Sequence, residues 1–179
     1  AGGLGGLAIQ HLAALVEQAH EAELRHDVDQ ARTADTPRLD VAADHLQRYL
    51  ASNGEDGHLW DATVAGGTGL VPTLVLTTTG RKSGKPLTLP LIYGRAGNSY
   101  VVIASKGGAP QHPAWYLNLD ANPEVEVQVK AECFRARART ATGTERDALW
   151  RQLVEIYHPY QKYQAATSRE IPVVVLDPV

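Results

Sequence analysis

Val71-Pro72-Thr73-Leu74-Val75-Leu76-Thr77-Thr78-Thr79, then Gly80-Arg81-Lys82-Ser83-Gly84-Lys85, then Pro86, then Leu87-Thr88-Leu89-Pro90-Leu91-Ile92-Tyr93 is the stretch on which the fold turns. The first run is β-branched and apolar, as strands are. Two glycines bracket a polar tip, and the apolar pattern resumes on the other side, so the stretch reads as a strand, a turn and a return strand. Pro90 marks the return strand as an edge or a bulge, because proline donates nothing to a ladder. Outward from this hairpin the pattern repeats. Gly94-Arg95-Ala96-Gly97-Asn98 is the next turn, and Ser99–Ser105 (SYVVIAS) is a third strand. Glu124–Lys130 (EVEVQVK) and Cys133–Thr140 (CFRARART) alternate strictly across a short link and form a second hairpin. Ile171–Leu176 (IPVVVL) is the last strand. Six strands joined by short turns imply a mainly β (α+β) protein, with a small antiparallel barrel rather than a βαβ sheet.

Helices flank the strands. Pro113–Ala121 carries proline at its first turn and stops at Asn122-Pro123. Thr144–Tyr157 opens with Thr144-x-x-Asp147, similar to a capping box. It places Leu149, Leu153 and Ile156 on one stripe, with Trp150, Val154 and Tyr157 beside it. Ahead of the barrel, residues 9–30 have helical spacing. Thr36-Pro37 starts a second helix, whose stripe is Leu39, Ala42, Leu46, Tyr49 and Leu50 up to about Asn53-Gly54. Residues 54–70 are Gly-rich and read as a connector. The expected organisation is an N-terminal helical arm and linker over 1–61 and a β-barrel domain over 62–179.

The 179 residues, 44% of them hydrophobic, suffice for one domain with an added arm. No apolar run approaches the ~20 residues of a membrane span. The start lacks a basic n-region, so no signal peptide is expected, and the absence of methionine points to a processed or trimmed start. The single cysteine, Cys133, excludes an internal disulfide framework and a Cys-rich zinc site, and suits a reducing cytoplasm. The formal net charge of -3 hides an asymmetry. Residues 1–61 hold four basic and eleven acidic groups; residues 62–179 hold thirteen and nine. No Asp or Glu lies between Asp61 and Asp120, a stretch that carries Arg81, Lys82, Lys85, Arg95 and Lys106. Such a field favours an anionic ligand.

Four motifs carry candidate chemistry. Gly80-Arg81-Lys82-Ser83-Gly84-Lys85 has the wrong spacing for a Walker A loop, and Pro86 and a strand follow instead of a helix. What is left is a cationic turn with exposed backbone N–H groups and an arginine able to grip a phosphate or carboxylate. Taken alone, such a turn is common. Ala104-Ser105-Lys106-Gly107-Gly108-Ala109-Pro110 ends a strand in a hydroxyl, a cation and two glycines, which lets backbone approach a ligand closely. In His112-Pro113-Ala114-Trp115-Tyr116-Leu117-Asn118, His112 reads as a structural hydrogen bonder, Trp115 as core and Asn118 as helix surface. Tyr157, Tyr160 and Tyr163 recur at three-residue spacing and share one side if helical turns persist. They read either as a core-and-rim aromatic stripe or as stacking faces and proton donors. No metal site is expected from the scattered histidines, no nucleophile elbow appears, and no nucleic-acid signature is present.

Together, and in this order, LTTTGRKSGKP over 76–86, YVVIASKGGAP over 100–110, HPAWYLNL over 112–119, Asn122-Pro123, YHPYQKYQ over 157–164 and IPVVV over 171–175 resemble the deazaflavin-dependent nitroreductase family. These are reductases dependent on coenzyme F420, many of which act on quinones. The likeness covers about residues 70–179. It implies a six-stranded split antiparallel β-barrel with flanking helices, related to flavin-binding barrels, and reduced F420 as cofactor. Arg81, Lys82 and Lys85 would hold the phosphate and polyglutamate tail, on a turn completed by Ser83, Gly84 and Pro86. Leu87 stands where many relatives carry a basic residue. Ala104, Ser105, Lys106, Gly107 and Gly108 would pack against the deazaflavin and its linker, and Trp115 would shape the pocket. Tyr157, Tyr160 and Tyr163 would line the side where a quinone, a nitro compound or another electron-poor acceptor takes the hydride. Two rival classes remain: a flavin mononucleotide (FMN) enzyme on the same barrel, and a non-catalytic F420 carrier. The resemblance makes room for a peripheral membrane contact, which the acidic arm does not support. The oligomeric state is open.

Overall fold

A computed structural model describes residues 36–179, with side chains from residue 43 onward. The helix expected over 9–30, and Leu39 and Ala42 of the second stripe, lie outside the side chains described. The elements run α1 (Thr36–Ala51), β1 (Leu59–Asp61), β2 (Leu70–Thr79), β3 (Pro86–Ala96), β4 (Ser99–Ile103), α2 (Ala114–Ala121), β5 (Glu124–Val129), β6 (Glu132–Thr140), α3 (Gly143–Ile156), α4 (Pro159–Ala165) and β7 (Val173–Pro178). Short 3₁₀ turns follow β1 (Ala62–Ala65) and β4 (Lys106–Gly108).

Strands β2-β3-β4-β7-β6-β5 lie side by side, and a β2–β5 pairing closes them into a six-stranded antiparallel barrel. Alternate residues of every strand fill its interior: Leu74 and Leu76, Leu89 and Leu91, Val102, Val125 and Val127, Ala136 and Ala138, Val174 and Leu176. Trp115 of α2 joins this interior cluster. The opposite residues of β3, β4 and β7 (Ile92, Val101, Ile103, Val173, Val175) face outward. They form a second core with Leu149, Leu153, Val154, Tyr157 and Tyr160. β3, β4 and β7, with a core on each surface, are near-continuous apolar runs, whereas the strict alternation of β5 and β6 marks strands with one buried face and one exposed, charged face.

Pro90 pairs with Val75 inside the ladder and is not on an edge strand. The ladder from β3 to β4 starts only at Tyr93, so β3 has a free side at Pro90, where the missing donor costs nothing. The segment expected as a plain connector holds structure. β1 pairs with β2 (Trp60 opposite Val71), and the 3₁₀ turn buries Ala62 and Ala65. Three residues are too short a run for periodicity to register. The capping box is also corrected: α3 begins at Gly143, after Thr142, and no side chain caps it. Helix α1 is fastened by fully buried Tyr49, whose hydroxyl donates to the Thr73 carbonyl (3.0 Å) and accepts from the Lys130 N–H (2.9 Å).

Candidate active site

In an antiparallel run β2, β3, β4, the C-terminal ends of β2 and β4 fall at one end of the barrel. Those ends carry the two cationic loops, 80–85 and 105–108. Arg95 sits at the opposite end, where its guanidinium lies 4.0 Å over the Tyr100 ring and donates to the Gly97 carbonyl. It belongs to a different place in the molecule.

The 80–85 turn is closed by Gly80 N–H to the Lys85 carbonyl and Gly84 N–H to the Gly80 carbonyl, both 2.8 Å. Arg81, Lys82, Ser83, Gly84, Lys85 and Pro86 are all exposed, and no carboxylate among the described residues pairs with these cations. The turn is held by Asn118, which is buried and not on the helix surface. Its Oδ1 accepts from the Arg81 backbone N–H and from Arg81 Nη1, both at 3.1 Å, while Nδ2 donates to the Thr78 hydroxyl. One flank of the turn is unsuited to an anion. A cavity of about 600 Å³ under Thr77–Thr79 and Pro86 is lined by Glu124 and Glu126.

The 105–108 loop has an unusual backbone. Lys106 (φ 46°), Gly107 (62°) and Gly108 (82°) are all left-handed. For lysine this conformation costs energy, and a tight surrounding structure maintains it. Ser105 is fully buried, and its Oγ has no hydrogen-bond partner. A Cβ on Gly108 would stand 2.6 Å from the Tyr163 carbonyl oxygen, so only glycine lets this loop lie against α4.

On α4 and at the end of α3 the three tyrosines do converge. Ring centroids are 5.0 Å apart for Tyr157 and Tyr160, and 6.3 Å for each of these with Tyr163. Tyr157 and Tyr160 have no exposed surface; Tyr163 is half-buried. The Tyr157 hydroxyl donates to the Ala65 carbonyl (3.3 Å), so in the 3.1 Å contact between Tyr157 and Tyr163 the donor is Tyr163. Burial holds both phenols above their ordinary range, Tyr157 farthest, so both stay protonated at neutral pH.

A residue the motifs did not mark ties these parts together. The Arg169 guanidinium donates to the carbonyls of Ala109 (2.8 Å), Ser105 (2.7 Å) and Ala104 (3.3 Å), and to His112 Nδ1 (3.2 Å). Arginine only donates, so His112 accepts here as the neutral ring; burial, then Arg169, lowers its pKa. Helix α2 therefore links both loops, with His112 just before it bonded toward one and Asn118 on it bonded to the other. The sequence hint was slight: an Arg between a Ser and a Glu, ahead of the last strand.

The family model of the F420H(2)-dependent quinone reductases matches residues 42–178. The chain belongs to that family. An F420H(2)-dependent quinone reductase of Mycobacterium tuberculosis is 42% identical over 135 residues, covering 74% of this chain and 86% of the relative. A solved F420-H2 dependent reductase (FDR-A) is 44% identical with a TM-score of 0.56, over 59% of this chain and 94% of that one. A second solved chain, described as a domain-swapped dimer, is 35% identical with a TM-score of 0.58, over 80% and 100%. The F420H2-dependent quinone reductases are oxidoreductases that use reduced F420, and the split-barrel architecture agrees with that membership. Among the described residues no group of three metal-ligating side chains occurs, and no helix is long and apolar enough to cross a membrane.

Proposed function

We infer that this chain passes a hydride from F420H2 to a quinone, with the cofactor lying across the barrel end that carries the 80–85 and 105–108 loops. One observation carries the assignment. Ser105 Oγ is buried without a partner beneath three consecutive left-handed residues, on the same barrel end as a cationic turn free of carboxylates. A buried hydroxyl left unpaired costs about 1–3 kcal/mol, a cost that a ligand's polar atom would remove. Glycine at 107 lets a flat ring approach the backbone, while Gly108 lets the loop lie against α4. These features fit a polyanionic cofactor with a planar, carbonyl-bearing ring.

Bound F420H2 supplies the hydride; the protein orients and surrounds it. Arg81, Lys82 and Lys85 hold the phosphate and polyglutamate tail, with Asn118 fixing the angle of Arg81. Ser105, Lys106, Gly107 and Gly108, following Ala104, receive the ring. Trp115, buried in the barrel interior, supports α2 beneath them. A quinone that accepts a hydride must also gain a proton to become a quinol. Tyr163, the half-buried member of the tyrosine cluster, holds a proton at its hydroxyl; Tyr157 and Tyr160, fully buried, pack behind it and set its position. Nitro compounds are a second acceptor class of the same electron demand.

The test mixes the protein with F420H2 and a water-soluble menaquinone analogue and follows cofactor oxidation optically. Quinone-dependent oxidation is expected. F420 binding without oxidation would leave a carrier, and a protein that purifies with flavin would leave the FMN reading.

A further inference from the structure

We propose that Arg169 is a positioning residue that shapes the backbone of the 104–109 loop into a receptor for the electron-rich edge of the cofactor ring. This rests on the functional reading above. The argument begins with peptide geometry. In a trans peptide the N–H points opposite to the C=O. Arg169 draws the carbonyls of Ala104 and Ser105 toward its guanidinium. The N–H groups of the same two peptides, those of Ser105 and Lys106, therefore point the other way. Ser105 is right-handed (φ -78°, ψ -37°) and Lys106 and Gly107 left-handed. That succession makes consecutive N–H groups converge into a concave nest, a backbone arrangement that binds anions and oxygen ligands. Among the described residues, the N–H groups of Ser105, Lys106 and Gly107 donate no hydrogen bond, whereas Gly108 N–H bonds the Ser105 carbonyl at 2.9 Å. The unpartnered Ser105 Oγ is the fourth donor of the set.

The guanidinium is suited to this task because its fork reaches several carbonyls at once. No carboxylate among the described residues pairs with Arg169, so its charge adds to the field of the loop. The far side of its segment is locked as well: Gln164 of α4 donates to the Arg169 carbonyl (2.8 Å) and accepts from the Ile171 N–H (2.9 Å). Arg169 thereby fixes the loop against the helix that carries Tyr163.

Two ligands separate this role from that of the tail-binding turn: oxidised F420, and the deazaflavin riboside that lacks the tail. Both are titrated by fluorescence into wild type, Arg169→Gln, Arg169→Lys and Arg81→Ala, with a melting curve for each. Arg169→Gln is expected to weaken both ligands by the same factor, about 10- to 100-fold. Arg169→Lys should fall between Arg169→Gln and wild type. Arg81→Ala should weaken F420 and leave the riboside unchanged. Wild-type affinity for the riboside in Arg169→Gln, or a lower melting temperature with unchanged affinities, overturns the proposal. If Arg169→Gln does not fold, Arg169→Lys decides by the same pair of titrations. A wild-type protein that binds no F420 would overturn the functional reading and this proposal with it. Wild-type binding with an insensitive Arg169 would overturn this proposal alone.

Discussion

Asn118 shows how one polar side chain commits a whole turn. It is buried, so its amide must be paired, and its partners are Thr78 at the end of β2 and Arg81 in the turn beyond. Asn118→Ala is expected to cost about 1–3 kcal/mol of stability, because it leaves the Arg81 N–H and Thr78 hydroxyl without this partner. It should also weaken F420 several-fold; chemical denaturation and cofactor titration check both. Asn118→Asp is more telling. The acceptor oxygen survives, yet a negative charge now lies beside the guanidinium meant for the tail, so affinity should fall further than stability. At Tyr163, Phe substitution should lower quinone-dependent turnover and leave F420 affinity near wild type; equal turnover would remove the hydroxyl from the reaction. The sequence marked Arg81 and Tyr163, because cations at a glycine turn and tyrosines at helical spacing are visible in one dimension. It placed Asn118 on the helix surface, where the structure buries it, and did not mark Arg169. Whether an Asn on a short helix faces core or solvent depends on what packs there, and Arg169 meets its loop across 60 residues of chain.

At the scale of elements, two joints stand out. Gly108 lets the cofactor loop touch α4, and a Cβ there would collide with the Tyr163 backbone at 2.6 Å, at a φ of +82°. Gly108→Ala should therefore separate the loop from the tyrosine helix, with a loss of more than about 1 kcal/mol in stability and weaker F420 binding. The second joint is helix α1. His45 is buried with its Nε2 at 2.9 Å from the Gly57 carbonyl, beside Tyr49. Burial lowers its pKa below the ordinary histidine value of about 6.5. The unfolded chain thus binds this proton first as pH falls. The stability contributed by neutral His45 is full above about pH 6.5 and declines below it, toward the lowered folded value. His58 and His112, lowered mainly by burial, add slopes of the same sign. Denaturation curves between pH 8 and 5 should show the decline, and His45→Gln should flatten part of it. Most strand boundaries were legible to within two residues, but Gly94-Arg95-Ala96, read as part of a turn, continue β3 and pair with Ser99–Val101 of β4, a pairing that two glycines in the local sequence conceal. β1 was not legible: it is three residues long, and its Trp60 meets the Tyr157 ring from a distant part of the chain, a contact no local pattern encodes.

For the whole molecule, the fold turns a linear charge asymmetry into a spatial one. Between Asp61 and Asp120 the chain has five cations and no acid. Closing the barrel puts Arg81, Lys82, Lys85 and Lys106 at one end and sends Arg95 to the other, and the C-terminal segment returns Arg169 to the first end. Two acids near this end, Glu124 and Glu126, line the outer cavity beside β2, on one flank of the turn, and a third, Asp120 of α2, acts on His112. An anionic tail lying on the exposed turn is attracted mainly through solvent, where salt screens charges within about 10 Å at 0.1 M. A ring held by buried donors near Ser105 is screened much less. F420 affinity should therefore fall as salt is raised from about 0.05 to 0.5 M, by roughly an order of magnitude. The affinity of the tail-less riboside should change little over the same range. A triple variant, Arg81→Ala with Lys82→Ala and Lys85→Ala, should bind F420 weakly and with most of its salt dependence gone, approaching the behaviour of the riboside on the wild type. A triple variant that kept the wild-type salt dependence would move the tail off this turn, and Lys106 with Arg169 would then be the charges that hold it.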